Sequence, residues 1–269
     1  MIPVNQMLEA AQAVSVKALR STAKGARCSA SGTAYERQIA AVCRLATLPN
    51  GMPLCSQTDA DLAGSGAGID IKLNWLSTGD IGVEAKRPTP DWMQMKLIAG
   101  LNGTYVGVAG GKIPEASRLI FNQVLSALTL FGGKTPPFLL GDITYSDWTK
   151  LKATSSDFKD VYIPCGSDTI AALYKAKGCQ YIQIAGKGLY HTGIDVCGFG
   201  VPAFVCDQQV RIRIKVHGRC TARGFASLSI MAAAQPVSLP GLTASPYSLD
   251  SACRLPLLTV PSSQVEISH

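Results

Sequence analysis

Two short stretches of alternating apolar and polar residues constrain the fold of this chain more than any other feature of its sequence. They cover residues 69–75 and 81–86, and a Ser-Thr-Gly turn lies between them. Alternation with a period of two is typical of a β-strand that has one buried and one polar face. The sequence therefore predicts two strands joined by a short turn, with Asp70, Glu84 and Lys86 on their polar positions.

A helix is predicted in front of these strands, over residues 33–46. Its apolar side chains recur at helical spacing, and Thr33 stands three residues before Glu36, which is the spacing of a capping box. Upstream of this helix, residues 1–32 are interpreted as an amphipathic helix followed by a basic loop rich in glycine and serine.

Behind the strands, the sequence predicts further helices and then a β-rich half. Aspartate is a residue type that caps helices, and Asp91 stands at the start of the first of these predicted helices. The predicted helices cover residues 91–101, 115–131 and 168–177. The predicted strands cover residues 136–143, 161–164, 179–186, 188–193, 209–216 and 225–233. The last two are predicted to form a hairpin, and the order as a whole predicts the α/β class.

Composition limits the class of protein. The chain has 269 residues, of which 47% are hydrophobic and 16% are charged, a balance typical of a folded globular protein. Its formal net charge of +7 is compatible with a polyanionic partner. Nine cysteines without a CxxC pair disfavour a secreted disulfide framework and favour a reducing, intracellular compartment. We find no signal peptide and no apolar run long enough for a membrane span.

The polar positions of the two strands carry the chemistry. Glu84 and Lys86 are two residues apart and project from one face of their strand. If the strands pair through the turn, Asp70 approaches Glu84 on that same face. Two neighbouring carboxylates repel each other unless a cation lies between them, and Mg²⁺ accepts carboxylate oxygens, water and phosphate as ligands. Lys86 could then orient an attacking water.

The arrangement Gly-Ile-Asp70 followed by Val-Glu84-Ala-Lys86 resembles the PD-(D/E)XK nuclease superfamily. Glu36, in AYERQIA, matches the glutamate that this superfamily frequently carries on a preceding helix. The order of helix, Asp strand, Glu-x-Lys strand and helix is also similar to the αβββαβ core of the family. In two departures, Ile69 replaces the proline of the name, and the strand before Asp70 is weak in QTDADLAG.

The local patterns and the resemblance together predict a division of the chain into four parts. An N-terminal helix and basic loop cover residues 1–32, and a restriction-endonuclease-like nuclease core covers residues 33–164. A β-rich elaboration packed on the core covers residues 165–235, and a C-terminal arm covers residues 236–269.

The resemblance also implies roles for individual residues. Asp70, Glu84 and the main-chain carbonyl of Ala85 would ligate Mg²⁺, for which Mn²⁺ is a substitute. Lys86 would position the attacking water, and Glu36 would ligate a second ion or hold a metal-bound water. The implied activity is metal-dependent hydrolysis of DNA phosphodiester bonds, with an endonuclease favoured. Double-stranded or branched DNA is the implied substrate, and a homodimer is a common arrangement in such enzymes.

Further residues are predicted to contact nucleic acid. Gln94 resembles a glutamine that some members place on the helix after the motif, and Gln123 is its rival. Three cations alternate along one strand in the second half, where lysine and arginine would supply salt-dependent affinity for phosphates. The complete set of predicted nucleic-acid contacts is Lys24, Arg27, Lys72, Arg87, Gln94, Arg211, Arg213 and Lys215.

The sequence is compatible with two alternatives. Asp59, Asp61 and Asp80 compete with the motif for a metal. Glu84 and Lys86 could also form the solvent face of an edge strand, in which case the match to the motif is accidental. The chain would then be a non-enzymatic nucleic-acid-binding or structural protein.

Overall fold

The computed structural model describes residues 30–62, 68–75, 79–89, 91–126, 128–220 and 225–256. Predictions for the first helix, for the basic loop with Lys24 and Arg27, and for the end of the C-terminal arm lie outside these residues. Within the described residues, the chain contains both helices and strands, and the predicted α/β class is confirmed.

The helices of the described residues are α1 (residues 30–45), α2 (Glu115–Leu125), α3 (Tyr145–Thr154) and α4 (Thr169–Lys177). The first four strands are β1 (Ile71–Trp75), β2 (Gly79–Lys86), β3 (Trp92–Ala99) and β4 (Tyr105–Gly107). The remaining strands are β5 (Val161–Cys165), β6 (Cys179–Ile184), β7 (Gly188–His191), β8 (Gln208–Cys220) and β9 (Ala226–Pro236).

The first sheet has the strand order β1-β2-β6-β7. β1 and β2 pair antiparallel, with Ile71 opposite Val83, so the predicted pairing of these two strands is confirmed. β6 lies parallel to β2 on its other side and is preceded by α4, as a parallel pair requires a crossover connection. β2 is therefore an interior strand, and the edge-strand alternative is wrong.

The second sheet has the strand order β4-β3-β9-β8-β5. The predicted hairpin of the second half is confirmed as β8 and β9, which pair antiparallel along most of their length. Residues beyond position 164 contribute strands to both sheets, because β6 pairs with β2 and β9 pairs with β3. The boundary predicted at residue 164 thus does not separate one sheet from the other.

The helix predicted over residues 91–101 is wrong, because this segment forms β3. Its methionine, glutamine, lysine and leucine residues favour helices in isolation. Pairing with β9 overrides that preference, and Met95 and Leu97 are buried while Lys96 between them is exposed. Asp91 is not a helix cap here; its backbone has a φ of 63°.

The structure also corrects two predicted helix boundaries and one predicted strand. α1 includes residues 30–32, so Thr33 lies inside the helix and the capping box with Glu36 is wrong. The helix from Glu115 ends at Leu125 and not at residue 131. The strand predicted over residues 136–143 is wrong, because consecutive prolines begin a short 3₁₀ helix over Pro137–Leu139.

Two apolar clusters hold these layers together. In the first, α1 packs through Ile39 against one face of the first sheet, including Ile71 and Val83. In the second, the opposite face of that sheet, represented by Ile182, joins α2, α4 and the second sheet. Because side chains alternate along β2, its even-numbered residues, Glu84 among them, point away from α1.

The described part of the C-terminal segment is tied to the first sheet. The buried side chain of Gln183 on β6 donates hydrogen bonds to Tyr35 Oη at 3.1 Å and to Ser248 Oγ at 2.7 Å. Its amide oxygen accepts a hydrogen bond from the main-chain nitrogen of Leu249 at 2.9 Å. One buried amide thus joins α1, β6 and residues 248–249.

Candidate active site

The three motif residues predicted from the sequence lie together. Asp70 directly precedes β1, and its Oδ2 accepts a hydrogen bond from the main-chain nitrogen of Ala85 on β2 at 3.0 Å. Lys86 Nζ lies 2.5 Å from Glu84 Oε1 and 4.0 Å from Asp70 Oδ2. The antiparallel pairing of β1 and β2 therefore brings both carboxylates to one ammonium group.

A second lysine, which the sequence did not single out, completes this group. Lys177 Nζ lies 2.5 Å from Glu84 Oε2 and 3.5 Å from Asp70 Oδ1. It is the last residue of α4, and Gly178, with a φ of 95°, turns the chain from that helix into β6 beside β2. The signal for Lys177 is not local, because only the parallel pairing of β2 with β6 connects it to the motif.

The two lysines act differently on the two carboxylates. Burial favours the neutral form of Glu84, which is 3% exposed, but attraction by Lys86 and Lys177 outweighs burial and holds its pKa below the ordinary value. For Asp70, burial and repulsion by Glu84 outweigh the same lysines, and its pKa is raised. The surroundings thus favour the charged form of Glu84 and the neutral form of Asp70.

The lysines are held in their charged forms. Burial alone would lower the pKa of Lys86 and of Lys177, but attraction by Glu84 and Asp70 raises both above the ordinary value. Lys86 Nζ also lies 5.2 Å from the ring centroid of Tyr174 on α4, a cation–π contact. Tyr174 is itself fixed, because its hydroxyl oxygen accepts a hydrogen bond from the main-chain nitrogen of Met93 at 3.1 Å.

Glu36 projects from α1 towards the same group and is partly buried. Burial and, next, repulsion by Asp70 raise its pKa to about 7. With the capping role excluded, Glu36 is a carboxyl group that exchanges its proton close to neutral pH.

A cleft of about 710 Å³ opens over this group. From the side of the first sheet and its helices it is lined by Glu36, Asp70, Glu84, Lys86, Tyr174 and Lys177. From the second sheet it is lined by Gln94, Lys96, Lys215, His217, Ser229 and Met231, and Asp91, the residue before β3, also lines it. The acidic motif and a set of basic side chains thus share one cavity.

The other residues predicted to contact nucleic acid are distributed unevenly. Lys215 and Gln94 line the cleft, although Gln94 lies on a strand and not on a helix. Arg211 is paired with Asp160 at 2.5 Å, and Arg213 with Asp91 at 2.8 Å, so both arginines are neutralised within the protein.

Lys72 and Arg87 do not line the cleft. Lys72 on β1 lies 3.8 Å from Asp80 on β2, with both side chains exposed, and Arg87 is exposed beyond the end of β2. Gln123, the rival of Gln94, is exposed on α2 and also lies outside the cleft lining.

The competing acids lie apart from the motif. Asp59 is paired with Arg44 at 3.0 Å, and Asp61 accepts hydrogen bonds from Thr58. Asp80 lies in β2, and none of these three acids lines the cleft.

The donor set fits a hard divalent cation by its chemistry. Three carboxyl groups, those of Glu36, Asp70 and Glu84, and the carbonyl of Ala85 are oxygen ligands of the kind that Mg²⁺ and Mn²⁺ accept. In the structure, however, lysine ammonium groups hold both oxygens of Glu84. Among the described residues, no three His, Cys, Asp or Glu side chains are grouped closely enough to hold a metal.

Comparison with known proteins returned no match: no protein-family model, no curated protein and no solved structure matches the chain. No helix within the part of the chain that the structure describes has the length and apolar character to cross a membrane.

Proposed function

We propose that this chain is a metal-dependent nuclease that hydrolyses DNA phosphodiester bonds with an activated water. The observation that carries the proposal is the convergence of Asp70, Glu84 and Lys86 at one point of a rigid sheet, within a cleft that also carries basic side chains. The charged forms of Glu84 and Lys86 are the ones that ligation and water positioning require.

The order of elements around the site supports the proposal. α1, β1, β2, α4 and β6 follow one another as the helix, strands, helix and strand of the PD-(D/E)XK core do, with one strand fewer before β1. In this interpretation, the segment between β2 and α4 is an insertion that carries part of the second sheet. The restriction-endonuclease-like fold is accordingly part of the proposal.

Each residue has a defined task in this proposal. Asp70, Glu84, the carbonyl of Ala85 and Glu36 would hold Mg²⁺ or Mn²⁺, which would neutralise charge on the scissile phosphate when bound. Lys86 holds and orients the attacking water, and the Tyr174 ring fixes the position of its ammonium group.

The proposed substrate is double-stranded or branched DNA, and an endonuclease is favoured on the analogy with the superfamily. A homodimer is the proposed arrangement for cutting two strands, on the analogy with the superfamily.

Cleavage of a covalently closed plasmid in Mg²⁺ or Mn²⁺, with an EDTA control, tests the proposal. We expect nicked or linear products only when the metal is present. Asp70→Asn and Lys86→Met should each lower the cleavage rate by about 100-fold or more. Lys175→Met, an exposed lysine of α4, is the control that changes the same charge. Wild-type cleavage by Asp70→Asn would contradict the assignment.

The alternative is a nucleic-acid-binding protein without catalytic activity. It is favoured by one observation, namely that Lys86 and Lys177 already satisfy both oxygens of Glu84, as in a purely structural ion cluster. Under this alternative the plasmid stays intact in every metal, while DNA binding is retained.

A further inference from the structure

Three basic side chains lie together on the face of the second sheet that borders the cleft. Lys96 is on β3, and Lys215 and His217 are on β8, with β9 between these strands. Lys96 is opposite Met231 of β9, and Lys215 is opposite Ser229, two positions away on the same strand. Because side chains alternate along strands, these residues occupy one face of the sheet.

This group differs from the arginines of β8 in its lack of acidic partners among the described residues. Arg211 and Arg213 are held by Asp160 and Asp91. Among the described residues, by contrast, no carboxylate lies within ion-pair distance of Lys96 or Lys215. The carboxylates of the cleft are held by Lys86 and Lys177 instead.

Lys215 and Lys96 both lie close enough to His217 to disfavour its charged form. Burial first, and then the charges of Lys215 and Lys96, lower the pKa of His217. His217 Nε2 lies 2.7 Å from the hydroxyl oxygen of the buried Ser229, which fixes the ring. Like charges held together without counter-charges destabilise the protein locally, and an anion at this position would relieve the repulsion.

We propose that Lys96, Lys215 and the His217–Ser229 pair form a phosphate-binding wall for the backbone of a nucleic-acid strand. The strand would run from this wall across the cleft, so that another of its phosphates meets Asp70, Glu84 and Lys86. The placement of that second phosphate rests on the nuclease function proposed above. Binding at the wall itself needs neither metal nor cleavage, because ammonium groups recognise backbone phosphates directly.

The proposed wall includes only one of the three β8 cations that the sequence predicted to contact nucleic acid. The sequence predicts Arg211, Arg213 and Lys215 as equivalent members of one basic strand face. In the structure, only Lys215 of these three is without an acidic partner among the described residues, and Lys96 joins it from β3.

The test is the salt dependence of DNA binding in EDTA, where cleavage plays no part. Fluorescence anisotropy would follow a short labelled oligonucleotide, single-stranded in one arm and duplex in the other, between about 50 and about 200 mM KCl. The logarithm of the binding constant falls linearly with the logarithm of the KCl concentration, and each lost phosphate contact makes that slope shallower by about 0.7 to 0.9. Lys96→Gln/Lys215→Gln should therefore lower the slope by about 1.4 to 1.8 and weaken binding about tenfold or more at the lower salt concentration.

Two further variants make the result specific. Lys150→Gln/Lys152→Gln removes the same charge from exposed positions on α3 and should keep a slope close to that of the wild type. Lys96→Arg/Lys215→Arg keeps the charge and should keep the binding. A wild-type slope in Lys96→Gln/Lys215→Gln, or an equal loss in the α3 variant, overturns the wall.

The experiments can refute the wall and the nuclease function independently of each other. Binding that depends on Lys96 and Lys215, in a protein that never cuts the plasmid, supports the wall and refutes the nuclease. Cleavage with unchanged binding in the wall variant refutes the wall and leaves the nuclease standing.

Discussion

Lys177 Nζ lies 2.5 Å from Glu84 Oε2, although 93 positions separate the two residues. With Lys86 on the other oxygen, Glu84 is held between two ammonium groups in the interior of the first sheet. The site therefore depends on the join between α4 and β6 as much as on the motif itself.

Loss of Lys177 is expected to destabilise the protein. In Lys177→Met, Glu84 keeps one of its two cations, and Asp70 loses a neighbouring positive charge. Removing one partner of a buried ion pair costs about 3 kcal/mol or more, and the side chain of Lys177 is only 6% exposed. The free energy of unfolding in urea measures the loss, with Lys175→Met as the exposed control on the same helix.

The difference in stability between the wild type and Lys177→Met should depend on pH in a defined direction. The folded-state pKa of Glu84 is lowered, so its contribution to stability is present above the ordinary value of 4.5 and is lost as the pH falls through the folded value. The wild type should therefore lose part of its advantage over Lys177→Met on acidification. Equal stability of Lys177→Met and Lys175→Met at neutral pH would contradict this account.

Glu36→Gln is expected to change the slope of stability with pH in the opposite sense. The pKa of Glu36 is raised from 4.5 to about 7 in the folded state, so its contribution is complete below 4.5 and is lost as the pH rises through 7. Wild-type stability should thus fall relative to Glu36→Gln across this window, by an amount on the order of 1 kcal/mol after solvent screening. Parallel urea-unfolding curves for the two proteins between these pH values would argue against a perturbed Glu36.

Gly82→Ala should separate β2 from the α4–β6 join. A Cβ atom at Gly82 would lie 2.3 Å from the carbonyl oxygen of Gly178, the residue after Lys177. Overpacking against a backbone atom costs about 3 kcal/mol, and the shift that relieves it would move Glu84 away from Lys177. We expect lower thermal stability together with a pH profile like that of Lys177→Met.

Gly141→Ala is the matched control for Gly82→Ala. No heavy atom lies within 4 Å of a Cβ built at Gly141, and its φ lies outside the left-handed range. This variant should be as stable as the wild type, or more stable by about 0.5 kcal/mol, because alanine reduces the entropy of the unfolded chain. Similar losses in both variants would show that the contact with Gly178 is not the cause.

Asp91 is expected to tolerate asparagine better than alanine. Its carboxylate binds Arg213 at 2.8 Å and accepts a hydrogen bond from Gln235 at 2.6 Å, and its φ is 63°. Asparagine adopts this backbone conformation readily and keeps one acceptor, whereas alanine leaves Arg213 without its partner. We expect losses in unfolding free energy of about 1 kcal/mol for Asp91→Asn and about 3 kcal/mol for Asp91→Ala.

Asp157→Ala is the comparison for the two Asp91 variants. It removes a more exposed ion pair with Lys134 and should lie within about 1 kcal/mol of the wild type. If Asp91→Ala proves equally mild, the contacts of Asp91 do not hold β3 to the hairpin of β8 and β9.

Local pattern was sufficient for part of this structure. Alternation over residues 69–75 and 81–86 predicted β1, β2 and their pairing, because only three residues separate the two strands along the chain. It also brought Asp70, Glu84 and Lys86 together, since all three positions follow from the register of that single pair.

Long-range pairing decided the rest. β3 has the composition of a helix and becomes a strand through β9, which follows it by more than a hundred residues. In the same way, Lys177 meets Glu84, and Arg211 meets Asp160, only after distant segments pair. Charge periodicity predicted that Arg211 lies on a polar face, but it could not identify the acid that neutralises it.

The position of β6 along the chain has a consequence for synthesis. As the polypeptide leaves the ribosome, Asp70, Glu84 and Lys86 emerge first, and β2 then has β1 as its partner while its other edge is unpaired. Lys177 and β6 emerge only after β3, β4, α2 and α3. A gene fragment ending before α4 would encode Asp70, Glu84 and Lys86 but neither Lys177 nor β6, so one edge of β2 would stay unpaired and Glu84 would keep only one of its two ammonium partners.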